Sequence, residues 1–273
     1  MTDSIVPPPE EHLATGWEPD LPASDTLVRR AVLVHASWAV AVAEALGRPH
    51  RHTDRWAGGW IGDRGPLTNP VVIVRPPRDE AEWADVLAEV HELVPAHVPY
   101  FLVSPFPTPD LSGQGLARIG HPPVMVRFPG GAAPGLREGV TLREVRDAEA
   151  LAVAERVLVD GYPMPDLQDL PPGGVLAPPI LDGPTRVWTA DVDGEPAAVA
   201  AAHVAGDAVL VEYVAALDTA RGRGAGAAAT WAATLCEPDL PAILIASDDG
   251  RPLYEHMGFV AVERWTAWLR PGT

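Results

Sequence analysis

Three glycines spaced two residues apart, Gly222, Gly224 and Gly226, are the strongest chemical signal in this sequence. They lie between a predicted strand and an Ala-rich segment, predicted as a helix, that runs to about Cys236. Because glycine has no side chain, the backbone N–H groups of such a loop can approach a ligand closely. The N-terminus of the following helix adds partial positive charge. The segment is therefore a candidate binding site for a pyrophosphate group.

A dinucleotide-dependent oxidoreductase is one class of enzyme that binds its cofactor with such glycines. That fold places them in a parallel strand–helix–strand unit. Here two tight-turn pairs, Asp193-Gly194 and Gly206-Asp207, precede the loop. They predict an antiparallel meander of three strands, at 186–192, 197–204 and 208–215. The antiparallel meander disfavours the hypothesis of an oxidoreductase. Formation of an NAD complex in a titration would favour that hypothesis again.

A second segment, Arg251–Phe259, contains Tyr254 and ends in a Gly-Phe pair. Together the two segments resemble the GNAT superfamily of acyl-CoA-dependent N-acetyltransferases. The cofactor loop of that family reads Arg/Gln-x-x-Gly-x-Gly/Ala, and Arg221, Gly224 and Gly226 match it. The closing segment of the family carries a similar Tyr and Gly-Phe. The resemblance covers Thr141 to Arg270, roughly the second half of the chain.

The resemblance implies direct transfer of an acetyl group from acetyl-CoA to a primary amine of a small molecule or peptide, without a metal. It implies that the end of the central strand binds the pantetheine arm and the thioester through backbone groups of Val214, Ala215 and Ala216. It also implies that pyrophosphate binds to the loop residues Arg221, Gly222, Arg223, Gly224, Ala225, Gly226 and Ala227. The alternative is a non-catalytic acyl-CoA-binding module with a regulatory or structural role.

Two side chains are candidates for proton transfer. The resemblance implies that Tyr254 protonates the leaving thiolate. The alternative is that Tyr254 only packs in the core. Glu212, on the central strand, is the first candidate for the base that deprotonates the amine, and an exposed surface glutamate is its alternative. Strand alternation places Glu212 and Tyr213 on opposite faces, so that only one should point into the acceptor cleft. Glu155, Asp160 and Tyr162 are weaker acceptor-site candidates.

The chain length of 273 residues favours two domains. A Pro- and Gly-rich stretch at 128–136 predicts the boundary, which gives a Pro-rich acidic arm at 1–25, one domain at 26–135 and a GNAT domain at 136–273. The first half repeats the order of elements but lacks the glycine loop, so it resembles a degenerate copy, as in tandem GNAT proteins. The predicted fold class is α/β, with a mixed, mostly antiparallel central sheet flanked by helices in the second half and a GNAT-like first half.

Composition excludes further classes. The chain has 37 acidic and 20 basic residues, a formal net charge of −17, and every basic residue is Arg. The lack of Lys excludes lysine Schiff-base chemistry and a Walker-A loop. The acidic balance disfavours nucleic acid as a partner, and the single cysteine, Cys236, excludes an intrachain disulfide or a Cys-rich metal site. Neither an export signal nor a membrane span is recognisable. We therefore expect a cytoplasmic protein without a metal or membrane partner. The sequence leaves open whether the protein forms a homodimer.

Overall fold

The structure is a computed structural model that describes residues 26–162, 167–168 and 172–272. The predicted arm at 1–25 lies outside the described residues. The helices are α1 (Leu27–Ala45), α2 (Glu80–Leu93), α3 (Ala148–Gly161), α4 (Ala225–Thr234) and α5 (Arg251–His256). The strands are β1 (His50–His52), β2 (Trp56–Gly59), β3 (Pro70–Ile73), β4 (Tyr100–Ser104), β5 (Ala117–Gly120), β6 (Pro123–Arg127), β7 (Val140–Val145), β8 (Thr185–Val192), β9 (Glu195–Ala205), β10 (Ala208–Ala216), β11 (Ala242–Ile245), β12 (Val260–Arg264) and β13 (Thr266–Arg270).

Local sequence signals set the starts of the first three helices. The side chains of Thr26, Asp79 and Asp147 each accept a hydrogen bond from the backbone N–H three residues later, at the start of α1, α2 and α3. This is the usual N-cap geometry of Thr and Asp. The buried faces of these helices then follow from their apolar periodicity, as the sequence predicts.

The strands form two mixed, mostly antiparallel sheets, which confirms the predicted fold class. The first sheet has the order β1-β2-β3-β4-β13-β5, and the second has the order β12-β6-β11-β10-β9-β8-β7. The parallel pairs are β3 with β4, joined through α2, and β10 with β11, joined through α4. The meander β8–β9–β10 turns at Asp193-Gly194 and Gly206-Asp207, where all four residues have positive φ.

The two halves repeat one unit and exchange one strand each. The strands β1 to β5 occupy the same order in the first sheet as β8 to β12 occupy in the second. The strand that follows each set is inserted in the other sheet: β6 lies between β11 and β12, and β13 lies between β4 and β5. The predicted boundary after Gly135 falls between β6 and β7, so each sheet contains a strand from the other side of it.

Helix α1 belongs to the first half but packs on both sheets, against β2 and β3 on one side and β9 and β10 on the other. The core around it joins Ala57 and Val72 of the first sheet to Val199 and Leu210 of the second. Helix α4 packs on the opposite face of the second sheet. The first half therefore covers the α3 face of the second sheet and leaves its α4 face to a separate core.

Three sequence-based assignments need correction. The sequence does not predict the short strands β1 and β2. It favours a short helix near 111–119, where the structure has a single 3₁₀ turn, Ser112–Gln114, followed by β5. The sequence predicts one last strand at 259–269, but the structure has two, β12 and β13, in different sheets. The strand is interrupted at the buried Trp265, whose backbone N–H donates a hydrogen bond to the Pro122 carbonyl. Within the described residues, every helix is too short or too polar to cross a bilayer.

Candidate active site

A bulge in the central strand β10 organises the site. Glu212 pairs with Ala201 of β9 and Ala215 pairs with Val199, so two residues of β10 stand opposite one residue of β9. Tyr213, within the bulge, has a φ of 51°, which is rare for a residue with a large side chain. Beyond this point β10 continues with the alternation of its side chains shifted by one residue.

The bulge places Glu212 and Tyr213 on the same face of the sheet. Tyr213 packs in the core around α1, with its ring edge-on to Trp38 at 5.1 Å, and the Glu212 carboxylate lies 3.9 Å from His35 of α1. The expectation from strand alternation, that the two side chains lie on opposite faces of the sheet, is therefore wrong. The positive φ of Tyr213 reverses the alternation at this residue.

The end of β10 separates from β11. Among the described residues, the parallel pairing of these strands is confined to Val209 with Ala242 and Leu210 with Ile243. The rest of β11 pairs with β6 on its other side. The candidate residues Val214, Ala215 and Ala216 therefore lie along an opening between two strands, where their backbone groups do not join the β11 ladder.

The N-terminus of α4 lies next to this opening. Its N-cap, Gly224, has a φ of 97° and offers no side-chain cap, in contrast to the N-caps of α1, α2 and α3. The first intrahelical bond joins the Ala228 N–H to the Gly224 carbonyl, so the earlier N–H groups of the turn have no helical acceptor. A Cβ on Gly226 would lie 3.5 Å from the Cβ of Ala216, which shows how closely α4 approaches the end of β10.

The arginines of the glycine loop are already paired with acids. Arg221 forms an ion pair with Asp218, and Arg223 forms one with Asp193. A third guanidinium, that of Arg137, donates a 2.7 Å hydrogen bond to the Gly222 carbonyl. Among the described residues, the ion pairs leave Arg137 as the arginine at this loop with no carboxylate within ion-pair distance.

Arg137 belongs to residues 128–139, which cross the outer face of α4 on their way from β6 to β7. Here we name this stretch the crossing segment. Arg127, just before it, stacks its guanidinium on the Trp231 ring at 4.9 Å. A groove of about 580 Å³ lies between the crossing segment and α4, with Trp188, Trp231 and Leu253 in its lining. Gly224 and Ala227 of the candidate pyrophosphate loop are also part of its lining.

Burial shifts the acid–base properties of Glu212. Removal from water raises the pKa of its carboxyl group from 4.5 to about 7, against a smaller lowering by the hydrogen bond to the Tyr213 backbone. The side chain still has 26% of its surface exposed. Since the pKa lies close to neutral pH, Glu212 can both accept and release a proton there, as a general base must.

Three phenols share this environment. Burial raises the pKa of Tyr162 to about 12, and it raises the pKa of Tyr213 and Tyr254 further above the ordinary value of 10. The charge of Glu212 contributes to all three shifts, which places the three hydroxyl groups within its electrostatic reach. Tyr254 lies on α5, packed edge-on to Phe259. All three phenols keep their protons at neutral pH.

Known proteins resemble this chain in structure. No protein-family model matches it, and no curated protein gives a significant sequence match. A GCN5-related N-acetyltransferase from Kribbella flavida aligns with a TM-score of 0.63 and 24% identity, over 87% of this chain and 96% of that chain. A structure from Novosphingobium aromaticivorans DSM 12444, named as an acetyltransferase of the GNAT family, aligns with a TM-score of 0.51 and 20% identity, over 86% and 98% of the two chains. The chain has the GNAT fold.

A further GCN5-related N-acetyltransferase, from Sphaerobacter thermophilus, aligns with a TM-score of 0.52 and 13% identity, over 89% of this chain and 94% of that chain. Because each likeness covers most of this chain, it extends over both halves. The recurrence of one strand order in the two sheets agrees with the expected GNAT-like first half.

Within this GNAT fold, Glu155 is a structural residue. Its carboxylate accepts hydrogen bonds from the backbone N–H groups of Gly173, Val175 and Leu176, at 2.5, 2.6 and 2.9 Å. The side chain is buried on α3, so these bonds hold residues 173–176 against the helix. Asp160, the other acidic candidate, forms an ion pair with Arg156 on the surface of α3.

Replacement of Glu155 by alanine should destabilise the protein by about 2 to 6 kcal/mol, because two buried N–H groups, of Val175 and Leu176, lose their acceptor. Chemical denaturation measures this change. Glu144→Ala, which removes a surface ion pair with Arg146, is the matched control and should cost about 1 kcal/mol or less. Equal stability of the two variants would contradict the structural role.

The buried histidines show which side chains the sequence analysis missed. His203 is bonded through both ring nitrogens, to Ser37 and Thr185, and is a core residue. His35 is the one that reaches Glu212, and Trp265 packs on its ring at 4.8 Å. The sequence could have singled out His35, because it is a polar residue on the apolar face of α1. Among the described residues no cluster of His, Cys, Asp and Glu could hold a metal ion.

Proposed function

We propose that this protein is an acetyl-CoA-dependent N-acetyltransferase that acts on a primary amine of a small molecule or peptide. The observation that carries the proposal is the split end of β10. One face of this strand end presents Glu212 toward α1, and the other approaches the uncapped N-terminus of α4. A proton acceptor and an anion-binding helix end thus flank one opening in the sheet. The GNAT fold supports the same interpretation.

The residues present fit acetyl-CoA. The uncapped first turn at Gly224–Ala227 offers backbone N–H donors for the pyrophosphate. Arg137 adds a guanidinium that has no carboxylate within ion-pair distance in the part of the chain that the structure describes. Because Arg221 and Arg223 are paired with acids, we expect them to contribute less than Arg137 to the neutralisation of the phosphate charge. Ala215 and Ala216 pair with β9 on one side, and the backbone groups of Val214–Ala216 that point away from β9 lie outside the β11 ladder, where they would bond the pantetheine arm and the thioester carbonyl.

The chain supplies the proton transfers. Glu212 takes one proton from the ammonium form of the acceptor, and this leaves a free amine as the nucleophile. Bound acetyl-CoA supplies the acetyl group, whose carbonyl carbon bonds to the amine nitrogen as its bond to sulfur breaks. Tyr254 donates its hydroxyl proton to the leaving thiolate. The nitrogen then loses its second proton, which reprotonates the Tyr254 hydroxyl group. Glu212 finally releases its proton to solvent, so the overall reaction releases one proton.

Titration calorimetry with acetyl-CoA tests the proposal. We expect the wild-type protein to bind, and Ala227→Glu to weaken binding on the order of tenfold or more, because a carboxylate beside the pyrophosphate repels it. Ala227 is the third residue of α4, where a glutamate favours the helix, so the variant should fold normally. Ala227→Gln has the same shape without the charge and should bind nearly as wild type.

Each outcome of this titration has a clear meaning. Lack of binding to the wild-type protein would refute the proposed function. Equal affinities of Ala227→Glu and Ala227→Gln would show that pyrophosphate does not bind at α4. Binding without amine-dependent release of CoA, over a panel of primary amines, would favour the non-catalytic acyl-CoA-binding module.

A further inference from the structure

The imidazole of His35 has a fixed tautomer. Its Nδ1 lies 2.7 Å from the Ala31 carbonyl oxygen, which can only accept a hydrogen bond, so Nδ1 carries the proton. Burial lowers the pKa of His35 from 6.5 to about 4, and the ring is therefore neutral at physiological pH. Nε2 is then an unprotonated acceptor with one lone pair.

This lone pair has no donor. His35 is 4% exposed, and among the described residues no group forms a hydrogen bond with Nε2. Glu212 Oε1 lies 3.9 Å away, about 1 Å beyond hydrogen-bond distance. A buried polar atom without a partner is costly, and a small rotation of the Glu212 side chain would close this gap. The carboxyl group can donate only when it is protonated, since the ionised form has no hydrogen.

We propose that the protonated carboxyl group of Glu212 donates a hydrogen bond to Nε2 of His35, which makes His35 the positioning residue for the base. The proposal deepens the proposed function and rests on it for the origin of the proton. The proton taken from the amine is held on Glu212 and turned toward α1, away from the newly formed nucleophile. When Glu212 loses this proton to solvent, the bond to His35 breaks and the carboxylate is again available to the next amine.

The three phenols and the second buried histidine around this pair do not ionise in the same range. The phenols of Tyr162, Tyr213 and Tyr254 have pKa values above their ordinary value. His203, whose charge would act on His35, has its pKa lowered to about 4 by burial. Glu155, which acts on Tyr213 from α3, is bonded to three backbone N–H groups. Trp265, on the other side of His35, does not titrate.

Nitrogen NMR of the full-length protein with ¹⁵N-labelled histidine tests the proposal without acetyl-CoA or an amine. The His35 signals are assigned by their loss in His35→Gln, or by the contact of the ring with Trp265 if that variant does not fold. As the pH is lowered through about 7, we expect the Nε2 resonance to shift as it accepts a hydrogen bond, while it remains that of an unprotonated nitrogen. In Glu212→Gln the amide donates at every pH, so the pH-dependent step should disappear.

His203 is the matched control, because both of its ring nitrogens are already bonded and its resonances should not change near pH 7. A His35 Nε2 resonance that is constant between about pH 5.5 and 9 would overturn the proposal. Conversion to an imidazolium signal near pH 7 would overturn it too, since the pair would then be ionic. Neither result depends on acetyl transfer, so failure here is distinct from failure of the acetyl-CoA titration.

Discussion

Replacement of Glu212 by glutamine should lower the turnover number by about 10²- to 10⁴-fold, the usual contribution of a positioned general base. Glutamine fills the same space but cannot take a proton from the amine. The measurement is the release of CoA from acetyl-CoA, with the primary amine that the wild-type protein acetylates fastest in a panel. In the wild-type protein, kcat/KM should rise with pH through about 7, since the base acts only when its carboxyl group is ionised.

Stability provides the control for this variant. The pKa of Glu212 is about 7 in the folded protein, above its ordinary value of 4.5, so the stability due to its protonated form is lost as the pH rises from 4.5 through 7. Glu212→Gln lacks this loss and should unfold at the same or a higher temperature than wild type at pH 8. Glu195→Gln, at an exposed position on β9, should keep full activity. Full activity in Glu212→Gln would exclude Glu212 as the base.

Replacement of Tyr254 by phenylalanine should reduce turnover by about 10²-fold or more while the affinity for acetyl-CoA changes little. Burial, together with the charges of Tyr162 and Glu212, raises the pKa of Tyr254, so its hydroxyl keeps the proton that it donates. Phenylalanine keeps the edge-on contact with Phe259 and removes only the hydroxyl group. Stopped-flow or steady-state kinetics give the turnover, and calorimetry gives the affinity.

Tyr100→Phe is the control for this second variant. Tyr100 is a buried tyrosine of the first sheet, and its hydroxyl lies 3.1 Å from His91 Nε2. The split end of β10 belongs to the other sheet. Its loss should affect stability and leave turnover unchanged. If the two variants retain the same activity, Tyr254 is a packing residue and the thiolate takes its proton from another donor.

Features with local causes were predictable from the sequence. The capped starts at Thr26, Asp79 and Asp147 and the turns at Asp193-Gly194 and Gly206-Asp207 each depend on residues a few positions apart. The same holds for the glycine loop at the start of α4. In these cases the interaction that fixes the structure lies within one short segment of the chain.

Features that depend on distant pairing were not predictable. The strand β1 is only three residues long and has little apolar character, so its pairing with β2 decides its structure. The exchange of β6 and β13 depends on which sheet offers each strand a partner. The bulge at Tyr213 is a property of the register between β10 and β9, which alternation along β10 alone does not contain.

The residues of the candidate site also divide into those that the sequence could predict and those that it could not. Glu212, Tyr254 and the glycine loop could be named from residue types and from the resemblance of two segments. The contact of His35 with Glu212 could not, because it joins α1 of the first half to the central strand of the second. Likewise, Arg137 reaches the glycine loop only because the crossing segment must run over α4 to connect β6 with β7.

The exchanged strands also constrain how the chain can be made. The first sheet has β13 between β4 and β5, and β13 is synthesised after every other described strand. On a ribosome the first half must therefore wait, with its sheet open at that position, until the second half has emerged. Neither half can close by itself, and we expect the two to fold and to unfold in one cooperative transition. The two halves share one strand order, but the exchanged strands prevent them from maturing separately.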